Sequence, residues 1–386
     1  MHTPVPSPTD VMTYASGWIE HTAAGLWPGA TVRLGPHIPS VTAYVRRVEV
    51  DDRPLFAKVS LLGVSLASVL RGVCGDWATV KARQAAYATT PGGLLERETI
   101  QYGILHTARL GAPRIAGYAD GVLFTEPVNG PTLTDLIGKQ PHRTAELLAT
   151  VVRELDSLGQ PDARALATAA AIPERSVQAT FARKFNGISA AACIALPGDA
   201  APALQTVISR LLKLRGTITG SQRDVIFGDL KPEHVLFPDD DDAGGRPAFL
   251  DPGLSLGHPA MDLGKLISRL VLHVLAVPPQ GAGVRAVVGG IGQLTDTTTH
   301  GMTSAVRADW LWQLVVLWLM DTVNIFTTYL TAPQGLPLPE HARAVIGQAD
   351  TVCTMLERTS AALEAKAEGP ALWRLALDHA ATAAGR

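Results

Sequence analysis

The stretch from Val225 to Leu266 limits what this chain can fold into more than any other. In VIFGDLKPEHVL, an apolar strand-like run ends at Gly228-Asp229, a Lys-Pro-Glu turn follows, and a second apolar run begins after His234. In AFLDPGLSLGHPAMDLGKL, Ala248-Phe249-Leu250 has the character of a short buried strand that delivers Asp251 onto a glycine turn, and Asp262 opens an apolar helical run. Carboxylates and an imidazole thus fall at strand ends and turns, where polar side chains converge on ligands. A single such Asp reads as well as a turn or helix cap; this ordered set, with buried strands between, does not.

This arrangement resembles the catalytic core of the protein-kinase-like superfamily, in particular its aminoglycoside and macrolide phosphotransferase branch and the choline-kinase relatives. The resemblance runs from about Lys58 to Leu266. It implies an α+β, two-lobe fold: a small N-terminal lobe with an antiparallel sheet and helix, and a larger, mainly helical C-terminal lobe. The expected domains are residues 1–128, binding nucleotide and carrying an insertion at 63–90, and 129–386, carrying the catalytic and metal motifs and the acceptor site. By resemblance Asp229 is the catalytic carboxylate, and His234 and Asp251 are the metal-binding positions. Phe227 stands where the family usually has His, and His234 where most members have Asn.

The chemistry fits these residue types. Transfer of a terminal phosphoryl group needs phosphate charge neutralised by metal and one carboxylate to orient the incoming hydroxyl. Mg²⁺ takes one or two carboxylates plus phosphate oxygens and waters, and imidazole suits it less well than an amide oxygen. Lys231, just after Asp229, is placed to reach the γ-phosphate, or else is a turn lysine in water. Asp262 either accepts hydrogen bonds from catalytic-loop amides, as the resemblance implies, or caps the following helix.

Upstream, TVRLG, SVTAYVRRVEV and LFAKVSLL read as antiparallel strands, with turns at Pro36 to Pro39 and at Asp51-Asp52. The Gly35 to Ser40 turn, with Ser40 a nucleotide-binding candidate, lacks a G-x-G-x-x-G pattern and by itself reads as a plain hairpin. Lys58 is flanked by apolar residues, where a lysine is costly unless its head meets an anion; the resemblance makes it the phosphate-holding strand lysine, and the alternative is an edge lysine. In LLERETIQYGILHTARLG an apolar stripe of Leu95, Ile100, Ile104 and Leu105 leaves Glu98 off the stripe as the preferred partner of Lys58, with Glu96 the alternative, and Gly111 as the stop. Strands around Asp120-Gly121 lead to Glu126-Pro127-Val128, the hinge whose backbone, at Glu126 and Val128, would hold adenine. Residues 63–90 form either a lid or a helical hairpin on the sheet.

From Thr132 the pattern turns helical: Leu136 to Leu158, Ala203 to Leu214, Lys265 to Val277, Asp309 to Tyr329, Glu340 to Lys366 and Ala371 to Ala384, with a Pro/Gly/Ala-rich connection near Leu196 to Pro202. The acidic DDDDAGG run at 239–245 reads as a solvated hairpin tip rather than a metal site. The tryptophans and nearby Phe326 and Tyr329 are expected in the core, some lining a cleft. The apolar run from Trp310 to Met320 is shorter than the ~20 residues of a spanning helix.

Length and composition agree. The 386 residues, 47% hydrophobic and 18% charged, suffice for two packed lobes. A net charge of −2 gives no basic footprint for nucleic acid or an anionic membrane. The cysteines, Cys74, Cys193 and Cys353, are scattered, the N-terminus lacks a signal-peptide pattern, and a cytoplasmic protein is expected.

The expected function is therefore ATP-dependent phosphorylation, with Mg²⁺, of a hydroxyl on a small molecule. GTP is the alternative donor, and the protein is expected to be a monomer or homodimer. A macrolide, nucleoside or sugar-containing acceptor is favoured over a polycationic aminoglycoside, because the helical half shows no dense acidic cluster. D-L-K-P-E is also the wording of a Ser/Thr protein kinase, but the segment between Asp251 and Asp262 is too short for an activation loop and no A-P-E follows. Phe227 and His234 motivate a third reading, a binding module without turnover.

Overall fold

The computed structural model describes residues 5–185, 200–218, 224–238 and 245–385. The chain divides into two compact units. One comprises Met1–His106, Ala112–Val128 and Ala332–Pro339; the other comprises Thr107–Gly111, Asn129–Thr331 and Glu340–Arg386.

The first unit is built on a five-stranded antiparallel sheet of β1 (Val32–Ile38), β2 (Tyr44–Val50), β3 (Arg53–Val59), β4 (Ile115–Ala119) and β5 (Val122–Thr125), in the order β1-β2-β3-β5-β4. Two tight turns set its register. Asp51-Asp52 and Asp120-Gly121 all have positive φ, the backbone twist a two-residue hairpin requires, and Asp and Gly are the residues that accept it. The expected turn at Pro36 to Pro39 is displaced. Strand β1 runs on to Ile38 through an irregularity between Leu34 and His37, and the chain reverses over 39–43. Pro36 cannot donate a ladder hydrogen bond, so an irregular edge strand accommodates it.

Helices cover this sheet. Helix α1 (Pro8–Leu26) is capped by Ser7 and packs by Ser16 Oγ to Tyr44 Oη (2.7 Å) and Trp18 Nε1 to the Asp120 carbonyl (2.7 Å). Residues 63–90 form α2 (Leu66–Leu70) and α3 (Trp77–Ala88), with the fully buried Gln84 accepting from Leu62 N at 2.7 Å. Helix α4 (Leu94–Thr107) ends before Gly111, at a turn where Arg109 has positive φ. Its apolar stripe is not as expected: Ile100 is 48% exposed, whereas Glu98 and Gln101 are fully buried. The fold turns the carboxylate inward because a cation awaits it there.

In the second unit a capping box of Thr132 and Asp135 starts α5 (Leu133–Lys139). The single helix expected over Leu136 to Leu158 is broken by Pro141, and α6 (Thr144–Leu155) is a separate element. There follow α7 (Pro161–Ala169), α8 (Val177–Phe185) and α9 (Ala200–Leu214), then the short strands β6 (Asp224–Ile226), β7 (Val235–Leu236), β8 (Ala248–Phe249) and β9 (Ser255–Gly257). The helices α10 (Ala260–Ala276), α11 (Gly283–Thr298), α12 (Ser304–Leu330), α13 (Glu340–Gly347), α14 (Ala349–Glu364) and α15 (Gly369–Ala384) complete it. Helix α11 escapes the sequence pattern because of its glycines. Gly290 needs to be small: a Cβ there would lie 2.6 Å from that of Thr144 on α6. The expected Glu340 to Lys366 helix is two helices that part at Gln348. The acidic run at 239–242 and residues 196–199 of the expected connection lie outside the described residues.

Helix α12 is longer than its apolar run implied. By length and composition it could cross a membrane, yet 83% of its most apolar window is buried within the chain. Gln313, which breaks the run in sequence, is buried and donates to Asp309 Oδ2 at 2.6 Å. Trp318 and Phe326 are fully packed, and Gly264 of α10 lets that helix approach Leu317 and Trp318 closely. This is the core helix of the unit.

Candidate active site

Strand β6 ends one residue before Phe227, and the loop that follows is pinned from several sides. Asp262, in the first turn of α10, accepts from the amides of Phe227 (2.6 Å) and Gly228 (2.7 Å). Gly228 has φ +79 and lies so close to Gly253 that a Cβ would sit 2.1 Å from that carbonyl oxygen. The Gly253 amide in turn donates to Phe227 O at 2.9 Å, which interlocks the loops carrying Asp229 and Asp251. Phe227 is fully packed, its ring 5.5 Å from that of Phe249. The departure from the family's usual His therefore fills core.

Asp229 projects from this loop between two lysines. Its Oδ2 lies 2.8 Å from Lys231 Nζ and its Oδ1 2.8 Å from Lys265 Nζ. Burial alone would raise its pKa, but Lys231 and Lys265, with His234 and Arg175, hold it well below the usual carboxylate range. It is a carboxylate at any physiological pH. For Asp262, burial wins over the two amides and Lys265, and its pKa is pushed up to about 6.

The β7–β8 pair brings the next two residues together. Val235 pairs with Phe249, and Leu250 N donates to the His234 carbonyl at 2.9 Å, so the residue after Leu250 must lie beside His234. Asp251 adopts φ +54, a left-handed conformation that Asp tolerates better than most residues. Its Oδ2 is 3.6 Å from His234 Nδ1, a buried nitrogen with no hydrogen-bond partner among the described residues. Burial and then Lys231 lower the His234 pKa against the pull of Asp251, so the ring is neutral. An open imidazole nitrogen beside a carboxylate is a donor pair that fits a divalent cation. Among the described residues no group of three or more His, Cys, Asp or Glu forms a fuller metal cage.

The remaining predicted residues belong to the first unit. Lys58, on the central strand β3, is 9% exposed, and its Nζ contacts both Glu98 oxygens, at 2.7 and 3.0 Å. Glu96, the alternative, instead accepts from Gly92 N at 2.6 Å. Ser40 is not poised over a glycine turn: its Oγ accepts from Thr42 N at 3.2 Å within the 39–43 reversal. The Glu126 carboxylate pairs with Arg53, its amide donates to Arg114 O at 2.9 Å, and Val128 ends this segment of the unit.

The second unit also contains a cavity of about 230 Å³. Glu233 of the Asp229 loop reaches it, as do Thr134 and Asp135 of α5, Arg269, Leu272 and His273 of α10, Tyr329 of α12, and His341 and Val345 of α13. Arg269 is neutralised by Asp321 at 2.7 Å, and Tyr329 Oη meets His341 Nε2 at 3.0 Å. The Thr134 hydroxyl is buried with no hydrogen-bond partner among the described residues. Burial opposes ionisation of Glu233, but His234, Arg269 and Lys231 keep its pKa lowered.

Residues 63–287, more than half of the chain, match the model of a family described as "Phosphotransferase enzyme family". The chain belongs to that family. This phosphotransferase thus acts on an alcohol-type acceptor, and its family places it among small-molecule enzymes. Among solved structures it is similar to the amicoumacin kinase hAmiN in complex with AMP-PNP, Ca²⁺ and Ami (11% identity, 91% of this chain and 96% of that one, TM-score 0.50). It is also similar to Plasmodium vivax ethanolamine kinase (10%, 92% and 92%, 0.49) and the aminoglycoside phosphotransferase APH(4)-Ia (12%, 88% and 98%, 0.48). A search of the curated proteins found no match. The α+β, protein-kinase-like fold expected from the motifs is the fold of this phosphotransferase.

Sequence reasoning missed three residues of the candidate site. Lys265 is buried against Asp229; the one signal for it was a lysine inside the otherwise apolar run Leu263 to Leu266. Arg175, whose Nη1 donates to Pro252 O at 2.6 Å, lies far upstream in a short turn with no local signal. Glu233 reads as a turn residue until the cavity beside it is seen.

Proposed function

We propose that this phosphotransferase moves the γ-phosphoryl group of ATP to a hydroxyl of an antibiotic or related natural product, in the cytoplasm, with Mg²⁺ as the working cation. The observation that carries this reading is the ionised Asp229 carboxylate, held between two lysines on a loop pinned by Asp262. Asp229 orients the acceptor hydroxyl. The acceptor oxygen bonds to the γ-phosphorus as the bond from that phosphorus to the bridging oxygen breaks, ADP leaves, and the hydroxyl proton passes to Asp229 and then to solvent. Lys231 turns from Asp229 to the transferring phosphoryl group. Lys58, fixed by Glu98, holds the inner phosphates, and the backbone of Glu126 and Val128 takes the adenine. A divalent cation held by His234 and Asp251 would supply charge neutralisation at the phosphates.

The cavity supports the acceptor class. At about 230 Å³ it is smaller than most drug-sized sites and suits one ring of a larger molecule. Its mixture of Leu272, Val345 and the Tyr329 ring with Glu233, Thr134 and two neutral imidazoles matches a sugar, which offers apolar faces and hydroxyl donors. We therefore favour a macrolide, nucleoside or other sugar-bearing acceptor. The test is an ADP-release screen over macrolides, nucleoside antibiotics, aminoglycosides and free sugars, with mass detection of the phosphorylated product. A product from a sugar-bearing compound, abolished in Asp229→Asn, is expected; near-normal turnover by Asp229→Asn would overturn the role of that residue.

A further inference from the structure

We infer that Lys265 is a positioning residue for the transfer, the fixed anchor that keeps one oxygen of Asp229 occupied so that the other alone faces the acceptor. This rests on the reading of Asp229 as the hydroxyl-orienting carboxylate. The two lysines at Asp229 are not equivalent. Lys265 is 3% exposed, and its ammonium has three acceptors: Asp229 Oδ1 at 2.8 Å, Arg175 O at 2.7 Å and Gly228 O at 3.1 Å. An ammonium has three donors, so every one is used and the head group has one resting position. Its stem rises from α10 one turn after Asp262, which holds the Phe227 and Gly228 amides. The same helical turn thus grips the loop by its amides, by a carbonyl and by the catalytic side chain.

Lys231 has no such anchorage. It sits on the loop itself, and among the described residues its ammonium forms one ion pair, with Asp229 Oδ2 at 2.8 Å, which a phosphate oxygen can replace. When Lys231 turns to the nucleotide, Oδ2 becomes the free acceptor while Oδ1 stays on Lys265. A carboxylate with both oxygens free could rotate about its terminal torsion, which is broad and soft. With Oδ1 anchored, the geometry needed for transfer survives the departure of Lys231. Lys265 touches neither substrate in this account; it acts through Asp229.

The experiment is a mutant cycle on the full chain with K265M, D229N and the double variant. Turnover is measured with ATP and Mg²⁺ alone, water being the acceptor, and with whichever compound the screen identifies. Loss of an anchor of this kind should lower kcat on the order of 10²-fold and leave KM for ATP nearly unchanged, the signature of an interaction needed only in the transition state. In the D229N background, K265M should change kcat by less than about threefold, since residues acting as a unit are not additive. Equal, multiplicative losses in both backgrounds, or a loss seen wholly in KM, would show Lys265 to be merely structural. K265Q, whose amide keeps two donors for the Arg175 and Gly228 carbonyls, replaces K265M if that variant does not fold. A crystal structure of the variant supplies a readout independent of turnover: the Asp229 carboxylate should leave its present orientation, and an unmoved carboxylate overturns the proposal. Normal turnover by D229N alone would instead refute the reading of Asp229, leaving the two failures distinct.

Discussion

Lys58 and Glu98 form a bidentate ion pair, 2.7 and 3.0 Å, in which the carboxylate is wholly buried. The pair joins the central strand β3 to helix α4, so it is structural as well as a candidate phosphate grip. Replacing Lys58 with Met takes the ammonium away from a buried carboxylate and should cost about 3–5 kcal/mol of stability. The double change Lys58→Met with Glu98→Leu should recover most of that loss while ATP-dependent transfer stays absent. Chemical denaturation of the three proteins, alongside turnover, separates the two roles; recovery of turnover in the double variant would contradict a phosphate-holding lysine.

The open Nδ1 of His234 beside Asp251 leads to an expectation about metal choice. Imidazole ligands favour later transition metals over Mg²⁺ relative to an amide oxygen. His234→Asn should therefore move the ratio of kcat/KM with Mg²⁺ to that with Mn²⁺ upward by roughly tenfold, the scale typical of altering a metal environment. An unchanged ratio would mean that His234 only holds the loop.

Asp262 carries a pH dependence whose sign differs for stability and for function. Because its native pKa is raised to about 6 by burial, the folded chain holds the proton more tightly than the unfolded chain. Its contribution to stability is greatest in acid and declines as pH rises from the ordinary carboxylate range to about 6. Only the ionised form serves both loop amides fully as an acceptor, so turnover should climb through the same pH. A pH–kcat profile at saturating ATP should show this acid limb in the native protein, and Asp262→Asn should be slower and lack it.

The Arg269–Asp321 pair tests the wall of the cavity. Asp321 is 1% exposed, and the side chain of Arg269 beside it is 10% exposed. Burial opposes the Arg269 charge, but Asp321 and Tyr329 outweigh it and raise its pKa. Asp321→Ala should lower stability by about 3–5 kcal/mol and release Arg269 toward Glu233. The acceptor KM should then rise more than the ATP KM. A thermal-melt shift without any change in acceptor KM would remove the cavity from the acceptor site.

Much of this could be read from local sequence because local physics decides it. The hairpins at Asp51-Asp52 and Asp120-Gly121 follow from residues that accept positive φ, and the helical run after Thr132 follows from its capping box. The order of Asp229, His234, Asp251 and Asp262 was enough to indicate a phosphotransferase core. Some failures were also local: Pro141 splits a helix whose apolar spacing runs straight across it, and Pro36 sits in an irregular strand rather than a turn.

What only the tertiary structure decided is which charges meet and which faces turn inward. Glu98 is buried and Ile100 exposed, against their polarities, because Lys58 waits on the neighbouring strand. The glycine-rich helix Gly283–Thr298 packs closely on Thr144 because position 290 is Gly, a contact no propensity reveals. Lys265 reaches the Gly228-Asp229 loop and the Arg175 carbonyl from a remote part of the chain. Spacing along the chain fixes what a residue does within one turn of helix or one hairpin, whereas the partner of a buried charge is set by packing between elements.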